Sequence, residues 1–151
     1  MKRLLLGALS ISLVACSSDT SGPSNAELAG SWRFSYVNMT GGVQGAVLTC
    51  NVASLDFTIT QTGTTFSGVQ NGAGRMSCVS GGQTIVDQLI GGETIVGGQI
   101  TGQSITFRLG TIAGPHSATV AGTSISGTAQ WVFPAGTTTV TMNGQFTAAR
   151  M

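Results

Sequence analysis

Trp32, Phe34 and Tyr36 stand at every second position of one short segment, and Leu55, Phe57 and Ile59 repeat that spacing against Asp56, Thr58 and Thr60. Successive side chains of a strand point to opposite faces, so this spacing gathers the large apolar groups on one face and leaves the polar ones in water. A helix would scatter the same residues around its circumference. No window of the chain carries a helical stripe of comparable quality. The chain is therefore restricted to half-buried strands, and those strands must find a common place for one apolar face.

Short glycine-containing turns separate the alternating segments. Gln61-Thr62-Gly63-Thr64 leads into Thr65-Phe66-Ser67-Gly68, which predicts a hairpin. Ile100-Thr101-Gly102-Gln103-Ser104-Ile105 recurs in pattern as Val120-Ala121-Gly122-Thr123-Ser124-Ile125, as a repeated meander unit would. Strands are expected over 31–39, 54–61, 64–70, 93–101, 104–110, 116–121, 124–133 and 138–148. Eight such strands predict an all-β, antiparallel, up-and-down meander closed into an eight-stranded barrel, which removes both exposed edges. A two-sheet sandwich is the alternative that the same periodicity allows. The stretch from Cys78 to Gly98 is less regular. Gly81-Gly82-Gln83-Thr84-Ile85-Val86 returns as Gly91-Gly92-Glu93-Thr94-Ile95-Val96, and reads as an extra hairpin or as a long excursion. The 40–50 and 71–80 segments read as glycine-rich connections.

The N-terminal segment has a different character. Met1-Lys2-Arg3 precedes an apolar run from Leu4 to Val14, too short for a permanent membrane span and suited to an export signal. Leu13-Val14-Ala15-Cys16 resembles the lipobox of bacterial lipoproteins. That resemblance implies cleavage before Cys16, acylation of its sulfur and its new amino group with palmitate-like chains, and anchoring in a lipid bilayer. Ser17 and Ser18, with no aspartate after the cysteine, imply an outer-membrane destination in the cell envelope. An ordinary signal peptide cut after Ala15 is the alternative. The expected organisation is a signal peptide over 1–15, a polar tether over 16–26 and a single domain over 27–151.

Charge and cysteine usage narrow the classes further. The whole chain has six basic and five acidic side chains, and Lys2 and Arg3 fall in the signal. The remaining domain is nearly neutral, with no basic patch, so nucleic acid is not an expected partner. With Cys16 set aside, Cys50 and Cys78 form an even pair in an oxidising compartment, which predicts a disulfide. Two free thiols or a metal pair are the alternatives. A single histidine gives the metal reading little support, and neither a metal nor a cofactor is expected.

Leu28-Ala29-Gly30-Ser31-Trp32 resembles the Gly-x-Trp start of lipocalin-like and avidin-like barrels, as do Ala129-Gln130-Trp131 and the final Phe146-Thr147-Ala148 strand. The resemblance implies that Trp32 closes one barrel end and that Arg150 packs over it; a frayed terminal charge is the alternative reading of Arg150. An avidin-like biotin site needs a polar ring inside the barrel, whereas the inward phase here is apolar with Tyr36 as its main polar tip.

Catalysis has little footing, and the chain is read as a non-enzyme. His116 follows Pro115 in a turn and reads as an exposed loop or edge residue. Asp56 is expected on an exposed face and Asp87 in an irregular loop, and no Gly-x-Ser-x-Gly elbow occurs. Two functions remain. One is a structural or interaction role toward an envelope protein or glycan. The other is a carrier for a small apolar ligand, with Trp32, Phe34, Tyr36, Phe57, Phe107 and Trp131 as contacts that serve equally well as ordinary core. A cleft at one barrel end lined by these aromatics favours the carrier, and a filled interior moves function to the loops.

Overall fold

The computed structural model describes residues 24–151 apart from 44 and 136. The segment expected to be an export signal, the lipobox-like Leu13–Cys16 motif and Cys16 lie outside the described residues. Ten strands follow one another: β1 (Gly30–Val43), β2 (Ala46–Thr62), β3 (Thr65–Asn71), β4 (Ala73–Ser80), β5 (Gln83–Gly91), β6 (Thr94–Thr101), β7 (Ser104–Leu109), β8 (Pro115–Ala121), β9 (Ser124–Ala135) and β10 (Thr138–Arg150). All belong to one antiparallel sheet of order β1-β10-β9-β8-β7-β6-β3-β2-β4-β5, with β1 also paired to β2.

The sheet curves into a partial ring with two levels. At the lower level the ladders pass through β1, β10, β9, β8, β7, β6, β3 and β2, the same eight segments that the alternation predicts. At the upper level only the long strands β1, β2, β9 and β10 continue. There β2 turns its free side to β4 from Thr49↔Val79 to Ala53↔Arg75, and β4 carries β5. The upper sheet thus runs β5-β4-β2-β1-β10-β9. Among the described residues, β5 ends the order with no strand beyond it, and the upper part of β9 meets only the isolated bridge Ala113↔Val132. The ring is open between these two edges.

Of the two readings of the Cys78–Gly98 stretch, the extra hairpin is the one found, made by β4 and β5 and followed by the start of β6. One expectation is corrected: the segments 40–50 and 71–80, read as connections, lie mostly in strands. The reason is a change of phase. Tyr36 and Met39 both point inward although they are three positions apart, and so do Val52 and Leu55. The β1–β2 register shifts at these places, and Asn38 (φ 52°) and Ser54 (φ 61°) take left-handed backbone conformations there. An extra residue in a strand flips the alternation beyond it and increases the local twist. Both shifts lie where the lower level gives way to the upper one.

Turns and close approaches account for particular glycines. Gly63, Gly102 and Gly122 each come first in a two-residue turn with φ of 59°, 59° and 60°, a position that hairpins of this length give to glycine. Gly98 has another role, because a Cβ there would lie 2.7 Å from the Phe66 ring that covers it.

Beneath the lower mouth, Leu28 and Trp32 are completely buried, and the Trp32 indole donates to the Leu28 carbonyl at 2.8 Å. The Arg150 guanidinium lies 4.8 Å from the Trp32 ring and donates to the Ala29 and Glu27 carbonyls, the arrangement expected from the sequence. The packed chain begins earlier than residue 27. Ala26 is buried, its amide donates to Gly102 O, the Asn25 side chain accepts from Gly102 N, and Ser24 O accepts from Gln103. Residues 24–26 are therefore fastened to the β6–β7 turn at the lower end and are not part of a loose tether.

Candidate functional site: an apolar cleft at the open end

The lower interior is filled by aromatic rings. Phe34 lies 5.2 Å from Phe57, 6.1 Å from Phe107 and 5.8 Å from Phe146 between ring centroids, in edge-to-face and stacked contacts. Such pairs add about 0.5–1.5 kcal/mol each beyond the area they bury. Of the six residues expected to contact a ligand, Trp32, Phe34, Tyr36, Phe57 and Phe107 are spent on this packing. Trp131 lines the cleft at the open end, and Phe107 also borders a groove of about 460 Å³ beside Arg108 and His116.

His116 corrects its sequence reading. It lies on β8 with no exposed surface, stacked on Phe107 at 4.5 Å, its Nδ1 3.1 Å from Gly114 O and its Nε2 3.3 Å from the Tyr36 hydroxyl. The histidine phase matches Ala118 and Val120 on the same strand, a signal masked by the preceding Gly-Pro. Burial pushes the imidazole pKa down to about 4, opposed by the hydrogen bond with Gly114. Burial also raises the Tyr36 phenol far above its ordinary value, with the Glu93 carboxylate adding in the same direction. Both groups are held neutral within the aromatic packing.

Above Tyr36 the packing changes. Trp131, on β9, lies above the Tyr36 ring with centroids 5.1 Å apart and forms one wall of the open end. A cleft of about 210 Å³ is lined by apolar side chains including Leu48, Met76, Val86, Phe133 and Met142 and by the Cys50–Cys78 disulfide. A second of about 420 Å³ lies beside it, between Leu89 and Ile90 of β5 and Thr111 and Ile112 beyond β7. Met76, Gln88, Trp131 and Phe133 line both, so the two run together. Their combined size falls in the range of small-molecule sites, roughly 300–1,000 Å³.

The disulfide joins directly paired residues of β2 and β4 across a sequence separation of 28. Its position explains how one wall of the cleft is held: among the described residues the β4–β5 hairpin joins the ladders of the sheet only along β2, through five residue pairs and this bond. At the base of the cleft Glu93 is buried, and its carboxylate accepts from the Thr111 amide at 3.1 Å and from the Thr111 hydroxyl. Gln70 ties the same corner, its side chain accepting from Glu93 N and donating to Gly72 O and Ile90 O.

The ion pairs stand apart from the cleft. Arg33 on the outer face holds Asp56 through two hydrogen bonds of 2.7 and 2.8 Å and lowers its carboxyl pKa. Asp87 lies on β5, not in a loop, and pairs with Arg75. Among the described residues no three His, Cys, Asp or Glu side chains come together as a metal site would require.

Met76, Gln88, Ile90, Glu93 and Ile112 are the cleft residues that sequence reasoning did not single out. The signal available for them was the twin Gly-Gly segment, which placed strands nearby but not their phase. No family model, no characterised protein and no solved structure matches this chain.

Proposed function

We propose that this protein is a lipid-anchored, non-enzymatic binding module of the cell envelope, and that the open end of its ring takes a small apolar ligand. The observation that carries the reading is the contrast within one interior: rings fill the lower level, while an apolar cleft remains above Trp131. A solid core excludes ligand from the barrel axis, and the mouth of such a ring is where sites of this kind occur. The finer architecture we propose is a closed eight-stranded barrel at the lower level with the β4–β5 hairpin as a raised wall.

The anchor is proposed from the Leu13–Cys16 motif. Several acyl chains at about 0.8 kcal/mol per buried CH₂ hold a protein to a bilayer without help from its fold. The chain enters the domain beside the β6–β7 turn, at the end away from the cleft. An anchored domain thus has its cleft on the side remote from the attachment. Labelling cells with radioactive palmitate tests the anchor: the natural chain is expected to incorporate label and Cys16→Ala none. Label on the variant would overturn it. Native mass spectrometry of the full chain recovered from its own envelope tests the cleft. A retained apolar passenger is expected, and bare protein at every concentration would contradict the reading.

A second reading, docking of an envelope protein, is favoured by β5. Its edge is unpaired, and Ile85 and Leu89 on its outer face are 52% and 68% exposed. An edge of this kind accepts an added strand. Cross-linking in intact cells from position 85 separates the two, because a ligand carrier gives no protein adduct there.

A further inference from the structure

The wall of the cleft contains a polar atom that the packing leaves over. Trp131 is 1% exposed, and its indole Nε1 is buried with no hydrogen-bond partner among the described residues. A buried donor without an acceptor is costly and uncommon, and it is a reason to look for a partner. The equivalent atom of Trp32 is satisfied by Leu28 O. The two tryptophans thus differ in the one respect that matters for a ligand.

The ionisable group lining the cleft points to the charge of that ligand. Glu93 is fixed at the base by Thr111, and no cation faces it: among the residues lining the cleft there is no lysine, arginine or histidine. An anionic head group would enter an apolar space beside a carboxylate with nothing to balance it, at a heavy electrostatic cost. A neutral oxygen carries no such cost.

We propose that the cleft binds an uncharged amphiphile, an alkyl or acyl chain bearing a neutral acceptor oxygen such as an ester carbonyl, and that Trp131 Nε1–H donates to that oxygen. This rests on the apolar-ligand reading above and names its ligand class. Met76 is half-buried, lines both parts of the cleft and has an unbranched side chain, so it is the wall residue best able to move aside and admit the oxygen. The chain of the ligand then lies against Leu48, Val86, Phe133 and Met142.

The test uses the full chain with octane, methyl octanoate and sodium octanoate as probes, titrated by calorimetry and by NMR of the two indole N–H signals. Methyl octanoate is expected to move the Trp131 indole proton downfield while octane does not. Trp131→Phe, which keeps an aromatic wall and removes the donor, is expected to weaken methyl octanoate about 3- to 10-fold more than it weakens octane, as one neutral hydrogen bond implies. Octanoate is expected to bind at least tenfold more weakly than its ester. An unmoved indole signal, which would place the N–H on the Tyr36 ring instead, overturns the inference, as does octanoate binding equal to the ester. In either case octane binding leaves the apolar-ligand reading standing. If no probe binds, that reading fails and this one falls with it. The indole shift needs no variant, so a poorly folding Trp131→Phe does not block the test.

Discussion

Residues 81–86 and 91–96 are nearly the same six residues, yet they build opposite parts of the molecule. In the second copy Ile95 is 1% exposed and Val96 faces out. In the first, Ile85 is 52% exposed and Val86 turns inward. The second copy joins the lower ring, where every strand has two neighbours and rings fill the interior. The first forms the free wall of the upper level, whose inner face looks onto a cleft. Identical local propensity thus leads to opposite burial, because which face is inward depends on the partner strand and its register. The lower level is built for stability and the upper level retains unfilled apolar space.

The largest expected effects follow from that division. Phe34→Ala empties the centre of the aromatic cluster and should cost about 3–5 kcal/mol in urea unfolding, whereas Phe133→Ala, at the cleft, should cost less than about 2 kcal/mol. Equal losses would erase the distinction between the levels. Next comes the bridge. Replacing Cys50 and Cys78 together with alanine should cost about 3–4 kcal/mol on the chain-entropy account. Amide exchange should then quicken in β4 and β5 before β7 and β8. Uniform quickening would mean that the hairpin is not a separate wall.

Acid should act on the other level. His116 is neutral and buried in the folded chain with a pKa near 4, below its unfolded value of about 6.5. As pH falls, the unfolded chain takes up the proton first. The stability tied to the neutral imidazole is complete above about pH 6.5 and is lost between there and about pH 4, on the order of 3 kcal/mol in all. Unfolding at stepped pH should show this slope in the natural chain and not in His116→Phe. The smallest effect belongs to the lower mouth, where Arg150→Ala removes the cation over Trp32 and two carbonyl contacts and should cost about 1–2 kcal/mol. Thermal melting checks it, and no change would show that the Trp32 plug holds without its cover.

How far the sequence could be read follows the same line. The segments beginning at Trp32, Leu55 and Ile105 keep one phase over their visible length, and their inward faces are those expected. Reading failed at Asn38 and Ser54, where a bulge reverses the phase and interrupts the alternation. The strands there continue to Val43 and start from Ala46. Cys50 and Cys78 were legible as a pair because chemistry marks them whatever their phase. His116 was misread because Gly-Pro suggested a turn, although β8 begins at Pro115. The cleft itself was illegible. It exists because β6, β7 and β8 are too short to reach the upper level, and strand length at that level is set by pairing, not by any residue within the cleft.

The central claim is that ligand enters the upper level and never the lower one. Chemical-shift mapping of the full chain during titration with methyl octanoate tests it most directly. Shifts confined to Met76, Gln88, Ile90, Trp131 and Phe133 are predicted, with Phe34, Phe57 and Phe107 unmoved. Shifts at those three phenylalanines, or at no residue at all, would contradict it.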